Sequence, residues 1–109
     1  MIGTRYSARA LTFASCCSSL LRSTPLFIWQ AALTYFFGRR AAKRLGDAHE
    51  YGQTSRDSRK DQYNNRVARN FVGSSYNRYW MNYYNSRGYL FQYLYSAGSW
   101  LYSHGYLKK

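Results

Sequence analysis

Apolar and polar positions alternate along the chain so as to mark helical stretches separated by short polar breaks. Tyr6, Ala10, Phe13, Cys17 and Leu20 recur every three or four positions, the spacing of one helix face. Ser23, Thr24 and Pro25 interrupt that run. Thr24 suits an N-cap, and Pro25 suits the first helical position, where a missing N–H costs nothing. The following LFIWQAALTYFF is apolar on nearly every side, which predicts a buried central helix anchored by Trp29, Leu33 and Phe36 or Phe37. Gly38 weakens that helix. A basic run of Arg39, Arg40, Lys43 and Arg44 follows, and Gly46 is a natural stop.

Past Gly46 the spacing of Asp47 and Glu50 is that of an acidic N-cap with its reciprocal glutamate. Residues 52–55 read as a loop, and Ser55 or Asp57 caps a helix predicted over 58–72. On it Tyr63, Val67 and Phe71 make an apolar stripe, while Asp61, Asn65 and Arg69 form a polar line on another face. Asn64 falls beside Val67, Ala68 and Phe71, so its amide is half-buried and needs partners. Residues 74–88 keep neither helical nor strand period and read as an irregular Tyr-rich connection. From Tyr89 a last helix returns, with Leu90, Leu94, Ala97 and Leu101 on one side and Gly105 closing it. The expected fold is all-α, a compact single-domain bundle of about four to five short helices.

Charge adds a partner class to this outline. Against 16 Lys and Arg stand four Asp and Glu, a net charge of +12. Such a balance favours nucleic acid, an acidic membrane surface or an acidic protein. With 13 Tyr and aromatics at 20% of the chain, there is too much apolar surface for disorder. Cys16 and Cys17 are adjacent, which excludes a disulfide framework, and no serine sits in a G-x-S-x-G setting. Residues 1–22 carry three arginines and no acid, which fits either an ordinary first helix or a mitochondrial presequence. The apolar run ending at Phe37 is too short to span a bilayer.

All four acids, Asp47, Glu50, Asp57 and Asp61, fall in one stretch with His49, one of 2 histidines. The functional reading gathers His49, Glu50, Asp61 and Asn65 as a catalytic set, with Asn64, Arg66 and Arg69 contacting an anionic substrate. Its carboxylates and imidazole suit acid/base hydrolysis or, with the amide oxygens, a divalent cation. Zinc wants more nitrogen or sulfur ligands than are present. The structural reading assigns Asp47 and Glu50 to capping and pairs Asp61 with Arg69 or Arg66.

Trp29 and Leu33, Gly38 and Ala42, the Asp-Ala-His-Glu run from Asp47, and then Asp61, Asn64, Asn65 and Arg69 follow one another in a distinctive order. Together they resemble a small helical domain found at the C-terminal ends of bacterial polymorphic-toxin and Rhs-type proteins, over about residues 25–71. Such domains carry a histidine ahead of the Trp, where this chain has Leu26, Phe27 and Ile28. The resemblance implies a toxin-type effector, secreted or delivered by a bacterium, with an acidic immunity-type protein as partner. Two other readings come from the residues themselves. One is a non-enzymatic basic subunit of a larger, membrane-adjacent mitochondrial assembly. The other is a single-strand nucleic-acid binder using the tract from Tyr76 to Arg87.

Overall fold

The apolar run after Pro25 organises the molecule as its pattern predicts. In the computed structural model, which describes residues 23–49 and 55–108, it lies in α1 (Ser23–Phe37). The remaining helices are α2 (Arg39–His49), α3 (Ser55–Gly73), α4 (Ser75–Ser86) and α5 (Leu90–Ser103). These five helices, with no strand among the described residues, are the expected all-α bundle. The helix expected in residues 1–22 and most of the 52–55 loop lie outside the described residues.

Because α1 is apolar on every side, it can be covered on every side. Leu26, Phe27, Trp29, Ala31, Ala32 and Leu33 are all buried, and α2, α3 and α5 each pack against it. One face joins Phe27 and Ala31 to Ala68 and Val72 of α3, Met81 of α4, and Leu90 and Leu94 of α5. There Phe71 meets Phe27 edge-on, with ring centres 5.3 Å apart. Another face joins Leu26, Trp29 and Leu33 to Ala42 of α2. Phe36 and Phe37, expected as anchors, are exposed instead, because the helix is already ending.

Several predicted boundaries move. Thr24 and Pro25 lie inside the first turn of α1, which starts at Ser23. Gly38 does more than weaken a helix. At φ +94° it turns the chain, accepting from Ala42 N–H to open α2 while its own N–H closes α1 on Thr34. Helix α2 then runs through Gly46 to His49, so that glycine is not a stop and Asp47 is not an N-cap. Helix α3 begins at Ser55, three residues before the predicted start.

The largest correction falls on the Tyr-rich tract, which is the regular helix α4 rather than an irregular connection. Ser74 caps it, its hydroxyl accepting the Asn77 N–H, and Asn77 Nδ2 donates to the Phe71 carbonyl at 3.1 Å. Only Met81 of this helix is fully buried, so the aromatic positions spaced along it do not mark a core face. Helix α5 ends at Ser103, just before Gly105, the expected stop. Among the described residues, no helix is long and apolar enough to cross a membrane.

Candidate functional site

Wound at 3.6 residues per turn, positions 61, 64, 65, 68, 69 and 72 share one side of α3. That side faces inward. Ala68 and Val72 are fully buried, and Asp61, Asn64, Asn65 and Arg69 are at most 8% exposed. Tyr63, expected to lead an apolar stripe, is exposed, while Val67 and Phe71 are half-buried. The line Asp61, Asn65 and Arg69 therefore lies in the interior, against an expectation that placed the apolar stripe there.

A buried polar group left unpaired costs roughly 1–3 kcal/mol, so each of these side chains needs an account. Asn64 is fully answered. Its Nδ2 donates to the Lys108 carbonyl at 2.8 Å, and its Oδ1 accepts the Lys108 N–H at 2.7 Å. The Ser23 hydroxyl donates to the same carbonyl, and Leu107 is buried alongside. Asn64, expected as a substrate contact, thus fastens the C-terminal segment to the bundle. Arg69, which the structural reading offered with Arg66 as a partner for Asp61, has a different bonded partner here. Its Nη1 donates to Gln30 Oε1 of α1 at 3.0 Å. Asp61 is engaged as well. Among the described residues, Asn65 Oδ1 and Gln30 Nε2 have no hydrogen-bond partner. Both amides press on Gly46, where a Cβ would stand 2.9 Å from Asn65 Nδ2 and 3.0 Å from Gln30 Nε2. The missing side chain is what lets α2 close onto them.

Between α2 and α3 a cleft of about 200 Å³ opens, lined by Lys43, Asp47, Gln62, Asn65, Arg66 and Arg69. Lys43 and Asp47, one turn apart on α2, pair at 2.8 Å. Farther along the same seam Arg39 Nη2 donates to Asn70 Oδ1 at 2.6 Å. Arg69 is the buried cation of the cleft. Burial draws its pKa below the ordinary guanidinium value, repulsion from Arg39 adds to this, Asp47 opposes it, and Arg66 lowers it further. The guanidinium nonetheless stays protonated at any physiological pH. Whole-ligand pockets commonly enclose about 300–1,000 Å³, so this cleft suits one charged group rather than an entire ligand.

Comparison of the chain with protein-family models, with curated proteins and with solved structures returned no match. The cleft is therefore interpreted from its own chemistry. Of the residues predicted for the site, Asn65, Arg66 and Arg69 come together here, and Asp61 lies one turn away on the same buried side of α3. His49 ends α2, but its side chain and all of Glu50 lie outside the described residues. No group of three or more His, Cys, Asp or Glu positioned to hold a metal occurs among the described residues. Sequence reasoning did not place Lys43, Asp47, Gln62 or Gln30 in the site. For Gln30 a signal existed: it is the one amide within an otherwise apolar run, and it had to be buried with a partner.

Proposed function

We propose that this chain is a small toxin-type effector domain that acts on an anionic substrate, with the α2–α3 cleft receiving the substrate's charged group. The observation that carries this reading is Arg69. Its guanidinium is withdrawn from water beside Arg39 and Arg66, and its bonded partner is a neutral amide. A cation so placed gains most from an incoming phosphate or carboxylate, through charge-assisted hydrogen bonds in a partly dry site. Arg66 and Lys43 meet the same group from the two walls of the cleft, and Asn65 lines its floor.

For hydrolysis the same cations stabilise negative charge that develops as a bond breaks. Asp47 is the carboxylate of the cleft wall, available as base once its ion pair with Lys43 is shared with the substrate. The toxin-type setting rests on the resemblance of residues 25–71, three of whose motif positions, Asp47, Asn65 and Arg69, line the cleft. Inducible expression of the intact chain in a bacterial cytoplasm tests the reading. Growth arrest is expected from the parent and relief from Arg66→Ala and from Arg69→Gln at matched protein levels. Arrest that persists undiminished in both variants rules the cleft out as the agent.

A further inference from the structure

Outside the cleft, α4 presents a surface that packing does not explain. Its aromatic rings turn outward: Tyr76 is 70% exposed, Tyr79 63% and Tyr83 38%. Spacings of three and four residues set these rings on one face, about 4.5 and 6 Å apart along the axis. Trp80, half-buried, lies edge-on to all three at ring separations of 6.4, 5.2 and 5.5 Å. The tyrosines are thereby held in a fixed relation to one another. Arg87 places its guanidinium 3.7 Å over the Tyr83 ring, at the C-terminal end of the same face. From residue 62 to the end of the chain there is no acidic residue.

We propose that this face of α4 binds single-stranded nucleic acid, bases stacking on Tyr76 and Tyr79 while Arg87, seated over Tyr83, meets phosphates. The site is separate from the α2–α3 cleft and does not depend on it. Base–aromatic stacking needs exposed ring faces at successive positions and tolerates any base. A surface without carboxylates adds no repulsion toward the phosphate chain. A helix that seats on a membrane carries Leu, Phe or Trp on its apolar face. On α4 the one aliphatic side chain, Met81, points inward, and the exposed rings carry hydroxyls.

The test titrates a labelled oligothymidylate into the intact chain and reads fluorescence anisotropy, with a duplex of equal length and anionic vesicles as comparators. Binding is expected to weaken as salt rises and to favour the single strand over the duplex. Replacing both Tyr76 and Tyr79 by Ala is expected to weaken it about tenfold or more. Replacing both by Phe, which keeps the rings, retains it. Arg87→Ala lowers the salt slope. If the paired alanines unfold α4, as circular dichroism would report, single Tyr79→Ala takes their place. Equal binding to duplex, binding indifferent to the loss of both rings, or partition to vesicles without oligonucleotide binding overturns the proposal. Loss on Arg69→Gln with the tyrosine variants unaffected puts the strand in the cleft, which overturns this site and leaves the cleft reading standing.

Discussion

Asn64 shows how one side chain can tie a chain terminus to a core. Its amide reproduces the donor and acceptor of a neighbouring strand, and the Lys108 backbone pairs with both. Truncation at this position orphans the Lys108 N–H, so Asn64→Ala is expected to lower stability by about 2–3 kcal/mol. The urea midpoint should fall with an unchanged slope; an unchanged midpoint would show that the fastening contributes nothing. Tyr93 supplies a pH handle of opposite character. Burial, with smaller contributions from Tyr76 and Tyr84, raises its phenol pKa above the ordinary 10.0. Its ring stacks on Tyr84 at 5.1 Å, joining α5 to α4. A raised folded pKa means that the folded state keeps the proton longer than the unfolded chain does. Stability from this group is therefore complete below about pH 10 and is lost as pH rises through the folded value. Tyr93→Phe should flatten that alkaline decline in a denaturation series, and an identical decline in the variant would assign it elsewhere.

At the scale of elements, the seam between α2 and α3 depends on Gly46. Alanine there gains about 1 kcal/mol in helix propensity. Its Cβ, however, would stand 2.9 Å from the Asn65 amide and 3.0 Å from that of Gln30, whose other end holds Arg69. Overpacking of this kind costs about 1–3 kcal/mol, so Gly46→Ala should destabilise on balance. It should also shift the Arg69 side-chain resonance. A stabilised variant with Arg69 unmoved would contradict the described packing. The same seam explains what was legible beforehand. Helix α1 could be read from its unbroken apolar run, and α5 from Leu90, Leu94 and Leu101. Helix α4 could not, because its aromatic positions mark an outward face rather than a core stripe, the Asn and Ser between them read as turn residues, and its start is set by one Ser74 cap. On α3 the spacing of Asp61, Asn64, Asn65 and Arg69 was visible, but their polarity concealed that this spacing marks the buried side. Asn65, Arg66 and Arg69 are neighbours on one helix and so share the cleft by spacing alone, whereas Lys43 and Asp47 reach them through the reversal at Gly38.

Over the whole molecule, +12 of net charge draws anions from a distance, yet the two candidate surfaces use it differently. The cleft gathers Lys43 and Arg66 around the buried Arg69 guanidinium, and the α4 face sets the exposed Arg87 over Tyr83. Exposed charges are screened beyond about 8 Å at physiological salt, so binding on α4 should be the more salt-sensitive of the two. The central claim concerns the cleft, and side-chain NMR of arginine tests it most directly. Inorganic phosphate is titrated into the intact labelled chain while the Nε–Hε resonances are followed. Saturable shifts of Arg69 and Arg66 are expected ahead of Arg78 and Arg87, and Arg69→Gln should abolish the response of Arg66. A uniform, unsaturating drift of every arginine, or an Arg66 response that survives Arg69→Gln, would contradict the cleft as an anion site.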